Sequence, residues 1–488
     1  MNLWDALEQA HTRKSVDGNN PMETYSLYRF LCTFLMAALR PGVIEDKIAL
    51  LERGRFPMEQ IGEYLRICRE DGVSFDLFDE KRPFLQSPYD PAYDSEKNLK
   101  SAANLDCTRA SGNNAIHFDH TMEKDVSLAP AQAARGLLAA QLFCTAGLKG
   151  PSNVNGAPPL FYLPEGKNLF ETLALSLAYV PDEDDEDSED AGEPELWRSR
   201  SPIVPKAPVE RTSILYGMLF PSRRIRLTEQ DGMVKKIYYQ PGLRFTGFSG
   251  WSDPHVAYRF VADKKGQVSR IPLKPSQSKE PWRNISTLLA DFQGTAPAVL
   301  RDCSRIAERS GAYQMRILSF GTVTNQASYL DADQGGIRLD ARIAEDAVKS
   351  SLAVHAVERA EIMGSALKKA LQHMISRDGK AAREAVVQRF LHRYYALCEE
   401  KFYHFCDALA AAATDEEQAR LIKGWEADAR ELAFQVYDRE AKDVFCSTGA
   451  ELIRMEKARR QMIWDTMNRA GKGADGKNGR NRGAKTDE

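Results

Sequence analysis

One short cluster of side chains in this sequence could hold a metal ion. His117, Asp119 and His120 fall within the loop-like segment SGNNAIHFDH, and two imidazoles with a carboxylate suit a transition metal. Metal-dependent phosphohydrolases need further ligands from helices, and His355 and His373, on one predicted helix, are too far apart to chelate one ion. A metal-dependent nuclease or phosphohydrolase is therefore an alternative hypothesis rather than the preferred one.

Other catalytic signatures are absent from the sequence. It contains no GxxxxGK[ST] phosphate loop, no GxSxG nucleophile elbow and no HExxH helix. The eight cysteines are scattered without a CxxC pair, which predicts reduced core thiols in a cytoplasmic protein and argues against a zinc site. We therefore expect a protein that is not an enzyme and that binds no cofactor or metal.

Basic residues interleaved with aromatic residues between positions 220 and 265 suggest a different chemistry. Cations that neutralise phosphates beside rings that stack on bases are the elements of a nucleic-acid surface. The alternative is a β-sheet with its rings packed inside and its charges outside. The residues concerned are Arg223, Arg224, Arg226, Lys235, Lys236, Lys264 and Lys265, with Phe220, Tyr238, Tyr239, Phe245, Phe248 and Trp251.

Two neighbouring amides occupy a predicted turn in residues 319–331, SFGTVTNQASYLD. Strand-like sequences flank Asn325, Gln326 and the small Ala327, which predicts a hairpin with uncharged hydrogen-bonding groups at its tip. Taken alone, this pattern also fits an ordinary solvent-exposed turn.

The net charge of −3 conceals an uneven distribution. Ten acidic residues and no basic ones lie in residues 182–195, and without them the net charge becomes +7. We predict an acidic, disordered loop over 181–195 and a mildly basic remainder that permits contact with nucleic acid. No stretch approaches the ~20 apolar residues of a membrane span, and no secretory signal is apparent, so a membrane partner is not expected.

The predicted elements change character along the chain. Helical spacing dominates residues 1–75, and strand signals dominate 210–330. From residue 340 to 470 helix formers prevail, with breaks near Gly379, Ala413 and Gly449 and a capping box at Thr414 and Glu417. The fold class is therefore α+β: a large mixed N-terminal domain with an antiparallel sheet and helices, followed by a C-terminal four-helix bundle.

Domain boundaries follow from this change. A mixed α+β domain is predicted over 1–336, with Gly335 and Gly336 near the join. The bundle is predicted over 337–470. The glycine-rich, polar segment 471–488 is predicted to be a disordered tail.

Several segments, in order, resemble the CasA-type large subunit of the type I-E Cascade complex, the CRISPR surveillance complex of bacteria. SFGTVTNQASYLD resembles its glycine-led Asn-Gln-Ala hairpin, and LRFTGF resembles one of its sheet strands. Other segments resemble parts of the same subunit and follow in the same order along the chain: ETYSLYRFLCTFLMAAL, KRPFLQ, NNAIHFDH, GLKGPSNVNGAPPLFYL and GMLFPSRRIRL. The likeness covers nearly the whole chain.

The resemblance implies recognition rather than hydrolysis. The family's large subunit reads the PAM through the DNA minor groove, starts duplex unwinding for R-loop formation and helps recruit a helicase–nuclease. Its implied partners are double-stranded target DNA, the 5′ handle of the guide RNA, other Cascade subunits and that helicase–nuclease. A purely structural assembly scaffold, in which the hairpin simply packs, is a further alternative.

The family's contact residues carry over to individual positions. Gln326 becomes the DNA wedge, and Asn325 and Ala327 become the PAM minor-groove contacts. The implied glycine-loop residues are Gly147 and Gly150, and the implied guide-RNA handle contact is Phe118. From the basic residues themselves, rather than from the resemblance, the possible DNA-backbone contacts are Lys264, Lys265, Arg223 and Arg224.

One departure from the family concerns a lysine. Relatives carry a PAM-contacting lysine shortly after the Thr-Gly-Phe strand, whereas here FTGF is followed by Ser249, Gly250 and Trp251. Lys264 or Lys265 is the substitute that the sequence offers.

Overall fold

The computed structural model describes residues 2–108, 126–143, 153–181, 193–263, 265–276, 279–289, 294–325, 328–374, 380–441 and 448–469. The chain divides into two compact units. The mixed unit comprises Met1–Gln277 and Ala290–Ile337, and the helical unit comprises Ser278–Leu289 and Arg338–Glu488. The division falls next to the predicted boundary at 336, but the assignment of Ser278–Leu289 to the helical unit was not predicted.

The mixed unit combines helices with short antiparallel sheets, so the predicted α+β class is confirmed. Its helices are α1 (Leu3–Glu8), α2 (Pro21–Leu39), α3 (Ile44–Arg53), α4 (Met58–Glu70), α5 (Pro130–Phe143), α6 (Leu169–Ser176), α7 (Ile214–Met218) and α9 (Ala298–Ser310). Its strands are β1 (Leu99–Ser101), β2 (Phe161–Glu165), β3 (Pro208–Val209), β4 (Arg223–Gln230), β5 (Met233–Pro241), β6 (Arg244–Phe245), β7 (Tyr258–Ala262), β8 (Val268–Pro272), β9 (Gln314–Asn325) and β10 (Ser328–Asp340).

Sheet order places β9 and β5 in central positions. Among the described strands, one sheet has the order β10–β9–β2 and another the order β1–β5–β4. β7 pairs antiparallel with β8, and β3 pairs parallel with β6. Asp231 and Gly232 join β4 to β5 with φ angles of 55° and 72°, which is the left-handed geometry that a tight two-residue hairpin requires.

The apolar helix α2 forms the centre of the mixed unit. Asn20 caps its start by accepting a hydrogen bond from the Glu23 N–H, and Pro21 occupies the first turn, where no N–H is needed. Tyr25, Phe34 and most other α2 side chains are buried, as expected for a helix that is apolar on all sides.

No single helix among the described residues is long and apolar enough to cross a membrane. The pair α2 and α3 passes that test only when joined, and the two helices are bent by 103°.

The helical unit contains the bundle that the sequence predicts. Besides the short helices α8 (Ile285–Leu289) and α10 (Ala341–Glu345), it holds the long helices α11 (Ala347–Met374), α12 (Lys380–Ala411), α13 (Asp415–Gln435) and α14 (Gly449–Arg469). α11 packs against each of the other three long helices. The predicted α12 stripe of Val387, Leu391, Tyr394 and Cys398 is buried, and Thr414 and Glu417 form the predicted capping box of α13.

β10 continues through Gly335 and Gly336 to Asp340, a few residues past the predicted boundary. One sequence-based expectation needs correction. The acidic loop predicted over 181–195 ends earlier than expected, since Glu195 is buried and accepts a hydrogen bond from the Tyr64 hydroxyl. Residues 182–192 and the predicted tail lie outside the described residues.

Candidate nucleic-acid interface

A long hairpin leads to the two amides that the sequence analysis singled out. Its strands are β9 and β10, and residues 326 and 327 connect them. β9 pairs with β2 only as far as Phe320, so its last five residues continue past β2. At about 3.3 Å per residue this extension is about 16 Å long. The described backbone ends at Asn325, and Gln326 and Ala327 lie outside the described residues.

Gly321 lies where the hairpin passes the end of β2. A Cβ atom at this position would lie 3.0 Å from side-chain carbons of Leu160 and Pro275, which is closer than ordinary packing allows. The glycine that leads the hairpin therefore permits close packing at its base. Thr322 is still buried, whereas Val323 and Thr324 are half-buried.

An aromatic cluster holds the base of the hairpin. The Tyr25 ring stacks on Phe161 of β2 with centroids 4.2 Å apart and ring planes 18° apart. Phe320 of β9 and Phe143 at the end of α5 have their centroids 5.7 Å and 6.0 Å from that of Tyr25. Aromatic pairs of this kind contribute roughly 0.5–1.5 kcal/mol each beyond area burial, so the cluster joins α2, α5, β2 and β9 firmly.

The segment predicted as the glycine loop begins and ends at one hydrogen-bonded junction. The side-chain amide of Asn153 donates to the Gln141 carbonyl at 2.8 Å. The Gln141 side chain in turn donates to the Arg223 carbonyl and accepts from the Arg223 N–H, both at 2.9 Å. The two ends of residues 144–152 are therefore held together against β4. Gly147 and Gly150 lie outside the described residues.

The segment predicted to reach the guide RNA leaves from α5 as well. Gly136 of α5 faces Leu105 so closely that a Cβ would lie 2.8 Å from the Leu105 side chain. Burial, Asp331 and Asp106 raise the pKa of Tyr329 on β10. Outside the described residues lie Phe118 and the candidate metal ligands His117, Asp119 and His120.

Three segments with predicted contacts therefore start from a small set of elements. Leu105, shortly before residues 109–125 in the sequence, packs against Gly136 of α5. Residues 144–152 follow the end of α5, and residues 326–327 join β9 to β10. α2 and the aromatic cluster link these elements in one core. The arrangement suits the binding of an extended ligand by several loops at once.

A buried polar network stabilises the same core. The Arg29 guanidinium donates to both carboxylate oxygens of Asp253, at 2.8 Å and 2.7 Å, and both side chains are fully buried. Asn155 donates to the same carboxylate at 2.7 Å, and Arg29 also donates to the Met218 carbonyl at 2.8 Å. Although burial opposes it, the Arg29 cation lowers the pKa of Asp253. The network thus ties α2 to three distant segments of the mixed unit.

His255 extends this network as a neutral ring. Burial, reinforced by the Arg29 cation, lowers the pKa of His255 to about 4. Its Nε2 lies 2.8 Å from the Ser176 carbonyl and its Nδ1 lies 3.1 Å from the Tyr25 hydroxyl. A carbonyl only accepts, so Nε2 carries the proton and Nδ1 accepts from Tyr25.

The arginines proposed as DNA-backbone contacts are not available to DNA in this structure. Arg223 and Arg224 are 1% and 2% exposed, at the start of β4. Arg224 pairs with the buried Asp94, with its second guanidinium nitrogen 3.0 Å from the carboxylate, and the Arg223 guanidinium lies over the Tyr239 ring at 5.6 Å. Because a phosphate cannot reach either guanidinium, neither Arg223 nor Arg224 is a DNA-backbone contact in this structure.

Half of the six aromatic residues interleaved with these cations are also buried, and Tyr238 and Tyr239 are half-buried. Phe220, Phe245 and Trp251 are buried in a separate cluster of the mixed unit, whereas Phe248 remains exposed. Gly247 of the LRFTGF sequence has no space for a side chain, since a Cβ would lie 1.7 Å from the Glu210 carbonyl oxygen. Close packing of the backbone therefore explains why the LRFTGF sequence has a glycine at position 247.

Lys265 remains exposed in the predicted turn between β7 and β8. The Asp263 carboxylate fixes this turn by accepting from the backbone N–H groups of Lys265 and Gln267, at 2.8 Å and 2.9 Å. Lys264 lies outside the described residues. Within the described part of the chain, no group of His, Cys, Asp and Glu side chains is arranged to hold a metal ion.

Sequence reasoning missed the residues that position the loops. Gln141 and Asn153 gave no signal, because amides are common and their link spans a loop. Arg29 did give one: it is the single charge within the apolar run SLYRFLCTFL, where a cation requires a buried partner.

Known proteins match this chain over nearly its whole length. Residues 1–436 match the family model described as CRISPR-associated protein Cse1. The chain is 29% identical over 481 residues to "CRISPR-associated protein CasA/Cse1" of Thermus thermophilus, covering 93% of this chain and 91% of that protein. Its fold is similar to the structure of Thermus thermophilus CasA (Cse1), with a TM-score of 0.74 and 23% identity. The match covers 96% of this chain and 95% of that chain. It is also similar to a chain of a structure described as "CRISPR RNA-guided surveillance complex", with a TM-score of 0.69, 20% identity and 95% coverage of both chains.

Proposed function

Since the chain belongs to the CRISPR-associated Cse1 (CasA) family, we propose that it is the non-catalytic large subunit of a type I-E Cascade, an RNA-guided surveillance complex. In this role it recognises the PAM, starts strand separation and helps recruit a helicase–nuclease, which cuts the DNA. The observation that carries the proposal is the β9–β10 hairpin: β9 continues past β2 and ends at Asn325, and Gln326 and Ala327 connect it to β10.

PAM recognition is assigned to Asn325 and Ala327. The minor groove presents nearly the same acceptors for A·T and T·A, and G·C adds one donor. A short amide such as that of Asn325 donates to those acceptors, and the small Ala327 tolerates close approach. Such recognition is permissive, which suits a sensor that accepts several related motifs.

Strand separation is assigned to Gln326. A wedge between base steps costs a few kcal/mol of unstacking, and guide pairing then replaces DNA pairing at near balance. A small local push therefore decides whether the exchange begins. Gln326 is uncharged, so it can enter the stack without the desolvation penalty of a charged side chain.

Two further segments are proposed to hold the complex together at this site. Phe118 contacts the 5′ handle of the guide RNA, and Gly147 and Gly150 let the backbone approach the PAM duplex. The attachment of both segments to α5 supports this arrangement, because contacts to guide RNA and target DNA would then share one rigid support.

Lys265, together with Lys264 in the same turn, is proposed to contact the DNA backbone. Its exposure on a turn held by Asp263 supports this role, and it replaces the lysine that relatives carry after the Thr-Gly-Phe strand. A lysine contacting phosphate contributes affinity but no sequence preference.

The test compares alanine variants in a complex assembled with its guide RNA and other subunits. On linear duplex DNA with a PAM at physiological salt, we expect Gln326→Ala to lower target capture at least roughly tenfold, as ~1.4 kcal/mol of unassisted unstacking would. Gln334→Ala, an exposed glutamine of β10, is the matched control and should bind like the wild type.

A second DNA separates docking from opening. When the base pairs next to the PAM are mismatched and already open, capture by Gln326→Ala should recover, while Asn325→Ala should remain impaired because its loss lies in docking. Wild-type capture of the linear duplex by both variants would refute the wedge assignment.

A further inference from the structure

The last helix of the helical unit has one face that no described residue covers. Along α14 five exposed positions follow alternating steps of four and three residues: Ile453, Lys457, Arg460, Trp464 and Met467. We call this set the α14 stripe. The opposite face packs into the bundle through the buried Met455, Ala458 and Met462. The stripe lies beyond residue 436, where the match to the family model ends.

The apolar members of the α14 stripe are unusually accessible. Ile453, Trp464 and Met467 are 59%, 60% and 61% exposed. Scattered apolar side chains on a surface need no explanation, but an aligned set on one helix face indicates an interaction site. Trp and Met are also among the residues enriched in protein interfaces.

Two cations without carboxylate partners lie within the stripe. Among the described residues neither Lys457 nor Arg460 forms an ion pair, and both line a shallow groove with Gln461 and Trp464. By contrast, Arg459 on the neighbouring face pairs with Asp438 at 2.7 Å. Within the described part of the chain, the stripe therefore carries two cations without ion-pair partners between its apolar ends.

We propose that the α14 stripe docks an acidic amphipathic helix of a partner protein. Alternating steps of three and four residues form the seam along which two helices pack side by side. From Ile453 to Met467 the seam is about 21 Å long, or about four turns. Carboxylates of the partner would face Lys457 and Arg460, while its apolar residues would cover Ile453, Trp464 and Met467.

Other occupants match the stripe less well. A second copy of the chain packed antiparallel would bring Arg460 close to its own counterpart, and like charges repel. Residues 471–488 contain five basic and three acidic residues, so this segment has the wrong charge. A nucleic acid suits the cations, but Ile453 and Met467 have no ring on which a base can stack.

The test uses the full-length chain and a designed, fluorescein-labelled helical peptide with leucines on one face flanked by glutamates. Fluorescence anisotropy should show binding that Lys457→Glu with Arg460→Glu weakens at least tenfold and that Trp464→Ala also weakens. The control pair, Arg420→Glu with Lys423→Glu, makes the same charge change at the same spacing on exposed positions of α13 and should change binding less than twofold. A peptide with lysines in place of the glutamates should not bind.

Three results would overturn the proposal. They are equal weakening by both double variants, unchanged peptide binding by the stripe variants, and a labelled oligothymidine that binds through Lys457 and Arg460 more tightly than the acidic peptide. All substitutions are at exposed positions, and an unchanged circular dichroism spectrum verifies that each variant is folded.

Discussion

The mixed unit and the long helices of the helical unit place their ion pairs differently. In the mixed unit, Arg29 and Asp253 meet at 2.7 Å with both side chains fully buried. In the bundle, Lys401 and Asp428 meet at 2.8 Å, but their side chains remain 43% and 41% exposed. The long helices pack through apolar stripes such as that of α12, and the helical unit's largely buried pair of Arg283 with Glu280 lies outside them, in the segment Ser278–Leu289.

The difference reflects the kinds of segments that pack together in each unit. Bundle helices pack through repeating apolar faces, which need little help from polar groups. The mixed unit joins dissimilar segments, and a bidentate ion pair fixes both their distance and their orientation. The Arg29–Asp253 pair thereby positions the core from which the candidate DNA-binding hairpin and loops extend.

Breaking the buried pair should have the largest effect. Arg29→Met leaves the Asp253 carboxylate buried without its cation, which typically costs 3–5 kcal/mol. Hydrogen exchange of α2 amides should report this loss of stability in the mixed unit. The double variant Arg29→Met with Asp253→Leu is the control and should recover most of the loss. A single variant within about 1 kcal/mol of the wild type would contradict the importance of the pair.

The pH dependence of the stability of the mixed unit should be the second-largest effect. The pKa of His255 is about 4 in the folded protein and about 6.5 when unfolded, so the unfolded chain binds the extra proton between these values. The free energy of unfolding therefore contains a His255 contribution of about 3 kcal/mol, which is fully present above pH 6.5 and is lost as the pH falls toward 4. We expect His255→Gln to flatten the dependence of the α2 exchange free energy on pH in this window. An unchanged slope would show that His255 is not the titrating group.

The smallest effect should follow from breaking a pair of the bundle. Lys401→Met leaves the half-exposed Asp428 in contact with water, and such pairs contribute roughly 0–1 kcal/mol. The exchange free energy of the α12 amides should therefore change by less than about 1 kcal/mol. A loss as large as that of Arg29→Met would remove the contrast between the two units.

Periodic features were predictable from the sequence. The burial of Val387, Leu391, Tyr394 and Cys398 follows from helical spacing, and the capping box of Thr414 follows from local hydrogen bonding. The hairpin of β9 and β10 was likewise visible as two strand-like runs around a turn. In each case the deciding interactions lie within a few residues of one another or repeat regularly.

Long-range partners explain the errors. Arg224 was taken for a surface cation because its partner, Asp94, lies 130 residues away in the sequence. The loop attachment through Gln141 and Asn153 also depends on contacts that no local pattern reveals.

The central claim is that Gln326 opens the duplex beside the PAM. The most direct measurement places 2-aminopurine in the first base pair next to the PAM and follows its fluorescence as the assembled complex binds. The claim predicts a rise with the wild type and with Gln334→Ala, and no rise with Gln326→Ala at DNA saturation. An equal rise with Gln326→Ala would contradict it.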